Sequence, residues 1–332
     1  MSTDTPPTLA DVREAAARIK PFAHRTPVLR CSSLDAMIGA SLFFKCENFQ
    51  RVGAFKFRGA CNAVFSLGDV EARRGVATHS SGNHAAALSL AARLRGIPAQ
   101  VVMPRTSRAV KQAAVAGYGG RIVLCEPTLE AREATLADVA AETGATVIHP
   151  YNDSRVIAGQ GTAALELLED VPGLDVVMTP VGGGGLLSGT VISVAALSPT
   201  TRVVAAEPEG ADDAFRSLQE GRIVPSVNPQ TVCDGLLTSL GTLTFAIIRE
   251  GVERIVTVAD ASTIAAMRHI WERMKIVIEP SAAVTLGALL AGTLAVSGLR
   301  VGIILSGGNV DLSALPWGAE PAHQGARTKA RG

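Results

Sequence analysis

Lysine is scarce in this chain, with six against 25 arginines in 332 residues. One of them, Lys56, stands in Gly-Ala-Phe-Lys-Phe-Arg-Gly, residues 53–59. A primary amine condenses with an aldehyde to form an imine, and it reacts as the neutral base. A lysine with that task therefore needs an apolar, partly desolvated setting that lowers its pKa. Phe55 and Phe57 offer such a setting. Two readings stand on these residues alone: an imine-forming nucleophile, or a surface lysine between two core phenylalanines. Among the others, Lys20 ends an amphipathic N-terminal helix, Lys111 and Lys275 fall on polar positions of helical patterns, and Lys329 lies in a polar tail. Lys45 competes with Lys56, because it sits in the strand-like Ser-Leu-Phe-Phe-Lys-Cys-Glu, residues 41–47.

Three turns carry further chemistry. Gly182, Gly183, Gly184 and Gly185 precede a helical pattern. Consecutive glycines at a helix N-terminus let backbone N–H groups close on an anion, and the helix dipole adds attraction. The run has neither the Gly-Lys-Ser/Thr ending of a nucleotide P-loop nor Gly-x-Gly-x-x-Gly spacing, so a small monophosphate suits it. A turn needed only for tight strand-to-helix packing is the other reading. Ser80, Ser81, Gly82, Asn83 and His84 form a second turn, which suits a substrate carboxylate or simply caps a helix. His84 begins that helix without a nearby carboxylate and is expected to orient the turn. Ser306, in Ser-Gly-Gly-Asn, either hydrogen-bonds a heteroaromatic nitrogen or ends its strand. A fourth segment, residues 207–213, is acidic and suits a hard divalent cation, Mg²⁺ or Ca²⁺, or an ordinary acidic helix start.

These turns need a scaffold that brings them together. Thr8 and Asp11 predict a capping box, and Val12, Ala15, Ala16 and Ile19 recur at helical spacing. From residue 75, β-rich runs alternate with helical patterns: strands over 75–78, 99–103, 121–125 and 146–149, helices over 83–95, 107–116 and 129–142. Strands over 175–179, 201–206, 254–258 and 299–305 continue the pattern. Such alternation predicts right-handed βαβ units, hence an α/β fold of parallel sheets whose ligands collect at the carboxyl ends of the strands. The apolar run 282–296 is short of a bilayer span and reads as a buried core helix.

Composition narrows the function. With 47% hydrophobic and 18% charged residues, the chain can bury a sizeable core. A net charge of +1 gives no electrostatic case for nucleic acid or an anionic membrane. The five cysteines lack Cys-x-x-Cys spacing, which argues against a disulfide framework or zinc cluster. The N-terminus lacks the basic and apolar regions of a signal peptide, so a cytoplasmic location is expected.

Taken in register, Phe-Lys-Phe-Arg-Gly-Ala, Ser-Ser-Gly-Asn-His, Gly-Gly-Gly-Gly-Leu and Leu-Ser-Gly-Gly-Asn resemble the fold type II pyridoxal-phosphate enzymes. The resemblance spans about residues 25–311. Its nearest branch is the serine/threonine dehydratases and serine racemases, with hydroxyaspartate and phenylserine ammonia-lyases. It implies two open parallel-sheet domains of the tryptophan synthase β-like architecture: a large cofactor domain of residues 1–74 and 151–318, a small inserted domain of 75–150, and a mobile tail of 319–332. It also implies pyridoxal 5'-phosphate held on Lys56 as an imine. Gly182 to Gly185 and Leu186 would hold its phosphate, Asn83 its phenolic oxygen and Ser306 its pyridine nitrogen, with Phe55 and Gly235 beside it. Ser80 to His84, Arg132 and Thr238 would meet the substrate, and Ser81 could exchange a proton on the face opposite Lys56. Glu207, the Ala211 carbonyl and Asp213 match the branch's cation site. The function implied is α,β-elimination of a β-hydroxy-L-amino acid of threonine or serine type to a 2-oxo acid and ammonia, by a homodimer; the alternatives are serine racemisation, a hydroxyaspartate or phenylserine ammonia-lyase on the same scaffold, and a non-catalytic pyridoxal-phosphate-binding protein. Where many relatives have glutamine this chain has Ala86, and no regulatory domain is expected after the last strand.

Overall fold

The computed structural model describes residues 5–80, 82–107 and 109–317. Thr8 opens the first helix, Leu9–Ile19, through the expected capping box, in which the Asp11 carboxylate accepts the Thr8 N–H at 2.7 Å. Val12, Ala15 and Ile19 form its buried stripe.

Among the described residues ten strands follow: β1 (Val28–Leu29), β2 (Ser41–Cys46), β3 (Val76–His79), β4 (Ala99–Pro104), β5 (Arg121–Cys125), β6 (Thr146–Val147), β7 (Val176–Pro180), β8 (Arg202–Pro208), β9 (Arg254–Val258) and β10 (Arg300–Leu305). They make a six-stranded sheet ordered β1-β2-β10-β7-β8-β9 and a four-stranded sheet ordered β5-β4-β3-β6. Every pairing is parallel except β1 with β2. The small sheet is thus inserted in the sequence between β2 and β7.

Period-2 alternation builds the large sheet's two faces. Val301, Ile303 and Leu305 of β10 pack in one core with Met267, Ile270 and Leu286, whereas Ile304 packs in another with Ile157, Leu187 and Ile248. Helices therefore cover both faces. The helix Lys56–Phe65 meets Ser154–Asp170 backbone to backbone, since a Cβ on Gly159 would lie 2.6 Å from Gly59 Cα. That contact fixes the helix whose first residue is Lys56.

Two local expectations are corrected. The helix expected to reach residue 296 is Pro280–Leu290, closed by Gly292 at φ 69° with the Thr293 N–H bonded to Ala288 O. A left-handed glycine with this bond ends a helix whatever the hydropathy beyond it. The strand expected over 146–149 stops at Val147, because the His149 ring takes up the backbone N–H groups that follow it. No helix among the described residues is long and apolar enough to cross a membrane.

Candidate active site

β3, β7 and β10 end at His79, Pro180 and Leu305, and the three turns that follow them line one cavity of about 740 Å³. Lys56, Phe55, Ser80, Gly82, Asn83, His84, Arg132, Gly182 to Leu186, Gly235, Thr238 and Ser306 all border it. Ser81 lies outside the described residues. The rule that ligands gather at the carboxyl ends of parallel strands explains why positions so distant in sequence converge.

Lys56 projects from the first turn of its helix, and its amine donates to Pro150 O at 3.0 Å. Burial pulls its pKa down to about 8, with the Glu279 carboxylate opposing the shift. Desolvation penalises the ammonium, so the neutral amine is far more populated near neutrality than for an exposed lysine. Lys45, the rival, is closed off. Its side chain is wholly buried, donating to Glu166 at 2.6 Å and to Thr26 O at 2.7 Å. Lys111 reaches the cavity rim but is paired with Asp234 at 2.7 Å.

The glycine loop fits a phosphate. Among the described residues the backbone N–H groups of Gly182 to Gly185 have no hydrogen-bond partner, and they precede the helix Gly185–Leu197. Gly184 adopts φ 88°, a conformation natural to glycine, and the Tyr151 ring lies 2.3 Å from where a Gly183 Cβ would stand. Ser306 also lines the cavity, with no hydrogen bond to its hydroxyl among the described residues, while its carbonyl accepts the Phe55 N–H at 3.0 Å. Free donors in the cup, an amine of lowered pKa and a free hydroxyl match the phosphate, aldehyde and ring nitrogen of pyridoxal phosphate.

Asn83 is held from both ends: its amide N–H₂ contacts the two Glu279 oxygens at 3.1 and 3.2 Å, and its Oδ1 accepts from Asn309 at 2.9 Å. Burial pushes the Glu279 carboxyl up to about 7, against the hydrogen bonds from Asn83 and Asn309. His84 is buried, which keeps it neutral, its pKa well below the usual histidine range, with Lys56 nearby adding to the shift. Neither ring nitrogen has a well-formed hydrogen bond among the described residues, so no hydrogen bond ties it to the turn it was expected to orient.

Sequence reasoning missed Glu279, His149, Tyr151 and Asp234, all of which line the cavity. His149 could have been found, since it ends an expected parallel strand. Glu279 carries no such signal; it reads as an ordinary residue before the helix Pro280–Leu290.

Glu207 and Asp213 lie at the carboxyl end of β8, apart from this cavity. Both side chains are buried, and Glu207 accepts the N–H groups of Ala214 and Phe215 at 2.9 and 2.8 Å. Asp213 has no well-formed hydrogen bond on either oxygen, with Ser226 and Arg216 giving only weak support. Burial raises the two carboxyls to about 8 and about 6, respectively. Orphaned buried carboxylate oxygens beside the buried Ala211 turn are a donor set that a hard cation would satisfy. No cluster of three or more His, Cys, Asp or Glu residues able to hold a metal occurs among the described residues.

Comparison with known proteins agrees with this geometry. The model of the family "Pyridoxal-phosphate dependent enzyme" matches residues 19–307. The chain is 55% identical to a β-hydroxyaspartate dehydratase of Paracoccus denitrificans, over 94% of this chain and 99% of that one. It is 48% identical to an L-threo-3-hydroxyaspartate ammonia-lyase of Saccharomyces cerevisiae, over 92% and 94%. The crystal structure of serine racemase from Dictyostelium discoideum superposes with a TM-score of 0.89 at 50% identity, covering 92% of this chain and 99% of that one. With its two parallel sheets and a family match over residues 19–307, the chain belongs to the family of pyridoxal-phosphate dependent enzymes, of fold type II.

Proposed function

We propose that the protein is an ammonia-lyase that eliminates water from a β-hydroxy-L-amino acid and releases a 2-oxo acid and ammonia. The observation that carries the reading is the convergence on one cavity of Lys56, an amine of lowered pKa, the free N–H groups of Gly182 to Gly185 and the turn of Ser80 to His84. Pyridoxal phosphate, held covalently through Lys56, supplies an electron sink for the charge left when a Cα proton departs. The chain does the rest. The glycine cup and Leu186 would hold the phosphate, and Ser306 would offer a hydrogen bond to the ring nitrogen without adding a charge. Asn83, Phe55 and Gly235 would hold the ring, and the Ser80–His84 turn would bind the substrate carboxylate. Lys56 removes the Cα proton, and loss of the β-hydroxyl as water then gives an enamine that hydrolyses.

The named activities of the bacterial and yeast relatives favour 3-hydroxyaspartate within this substrate class. Arg132 and Thr238, which also line the cavity, would face the substituent on Cβ. The test is a panel of L-serine, L-threonine, phenylserine and threo- and erythro-3-hydroxyaspartate, assayed for 2-oxo acid, with Lys56→Ala alongside. Wild type should turn over at least one of them, borohydride should fix the cofactor to Lys56, and Lys56→Ala should lose about 10⁴-fold or more of turnover. An adduct on Lys45, or no 2-oxo acid from any substrate, would overturn the reading.

Serine racemisation is a second reading, supported by the serine racemases at about half identity. It needs a proton donor on the other face, which we assign to Ser81. Ser81→Ala should abolish deuterium exchange into the opposite enantiomer and spare elimination. We further infer that Glu207, Ala211 and Asp213 hold Mg²⁺ or Ca²⁺, and that the enzyme is a cytoplasmic homodimer, which light scattering of the purified protein would test.

A further inference from the structure

We propose that His149 is a substrate-binding residue, a neutral imidazole whose Nε2–H donates to the oxygen carried on the substrate's Cβ and so selects for a β-hydroxy leaving group. This rests on the reading of the cavity as a β-elimination site.

The tautomer is set by the backbone. His149 Nδ1 accepts the N–H of Asn152 at 2.9 Å and that of Tyr151 at 3.3 Å, so it carries no proton and the ring hydrogen must reside on Nε2. Nε2 has no protein partner among the described residues, yet it is not sealed from the cavity that His149 lines. A free, fixed donor therefore points at whatever occupies that space.

Its position follows from its neighbours. Pro150, the next residue, accepts from the Lys56 amine at 3.0 Å. Tyr151 stacks edge-on against the imidazole with centroids 4.6 Å apart, and its ring backs Gly183 of the phosphate cup. His79, which leads into the carboxylate turn, makes a second edge contact at 6.1 Å. The imidazole is thus bounded by the group that works at Cα, the cup that anchors the cofactor and the turn that takes the substrate carboxylate. The substrate group not yet accounted for by these three is the one on Cβ.

The ring also stays neutral. Charging it would require a proton on Nδ1, at the cost of both backbone bonds. The groups facing it are His79, Lys56 and Asp153, and burial with the first two outweighs the aspartate, bringing its pKa down to about 4. A neutral imidazole is a weak proton donor but an effective hydrogen-bond donor to an oxygen that is gaining negative charge. In the reaction Cα loses a proton to Lys56, the Cβ–O bond breaks, and the hydroxyl leaves as water carrying, in net terms, the proton that Lys56 took. Hydrolysis of the released enamine takes that water back, so no oxidant or reductant is needed.

His149→Asn separates the two duties of the ring, because its side-chain oxygen can still accept the Tyr151 and Asn152 N–H groups while the outer donor is lost. The substrates are 3-hydroxyaspartate, L-serine and β-chloro-L-alanine, which differs from L-serine only in its leaving atom and releases chloride without a donor. We expect His149→Asn to lose about 10²-fold in kcat/KM on the hydroxy substrates and to stay within roughly threefold of wild type on β-chloro-L-alanine. Cofactor absorbance and melting temperature should be retained. In the resting protein, ¹⁵N NMR should show a neutral Nε2–H ring down to about pH 5. Equal losses on all three substrates, no loss on any, or an Nδ1–H ring would overturn the proposal. If the wild type eliminates from none of the three, the elimination reading fails, and this proposal falls with it.

Discussion

Glu166→Gln should be the most destabilising of the isosteric changes near Lys56, because it leaves a buried cation unpaired. Glu166 accepts Arg58 through both oxygens at 2.8 Å, and its Oε2 also accepts Lys45 at 2.6 Å. Arg58 in turn binds Glu47 at 2.7 and 2.9 Å, so two cations face two anions. The Lys45, Arg58 and Glu47 side chains are fully buried, and Glu166 keeps 15% exposure. Removing one partner of a buried pair costs about 3–5 kcal/mol; the residual exposure of Glu166 places this case near 3 kcal/mol. At roughly 2 °C per kcal/mol or slightly more for a chain of this size, the melting temperature should fall by about 5–10 °C. The double variant with Lys45→Met removes the orphaned charge and leaves Arg58 with Glu47, so it should recover more than half of the loss. Burial opposes ionisation of Glu166, but Arg58 and Lys45 outweigh it and hold its pKa below the usual carboxylate range. Its stabilisation is therefore complete above that range and is lost only as pH falls below it, towards the lowered pKa, so the gap between wild type and Glu166→Gln should narrow in strong acid. Thermal melts of the three proteins from about pH 7 to about pH 2 check this. A loss under about 1 kcal/mol, no recovery in the double variant, or a gap that persists undiminished in strong acid would refute the reasoning.

Gly183→Ala places a Cβ 2.3 Å from the Tyr151 ring, so the tyrosine or the cup must shift. We expect cofactor affinity, measured by the recovery of its absorbance on titration, to fall at least tenfold with a stability cost of about 1–3 kcal/mol; full affinity would contradict the cup assignment. For Glu207 and Asp213, carboxyls raised to about 8 and about 6 favour the protonated fold. In chelator, stability should therefore decline as pH rises from the ordinary carboxylate range towards 8, and Mg²⁺ or Ca²⁺ should restore it by a margin that grows with pH. Melting curves that ignore both pH and cation would leave the acidic segment as a helix start.

Local chemistry made much of this protein legible in one dimension. The capping box at Thr8, the alternation of strands and helices, the glycine run after β7 and the phenylalanines around Lys56 depend on neighbours within a few residues, and the corresponding elements stand where they were expected. Those signals placed the cup, the Ser80–His84 turn and the Ser306 turn at the ends of parallel strands, hence at one cleft. What the sequence left open was decided by partners far along the chain. Lys45 and Lys56 are equally plausible amines until Glu166, 121 residues away, is seen to bury and pair the first. Asn83 is fixed by Glu279, 196 residues away, and nothing local marks that glutamate as part of the site. The His149 tautomer, too, exists only once the turn after β6 has folded its N–H groups back onto the ring. Which side chains face one another across a cavity is set by the packing of two sheets and their helices. Periodicity records only which face of its own element each residue occupies, which is why the elements could be read from the chain and the contacts between them required the fold.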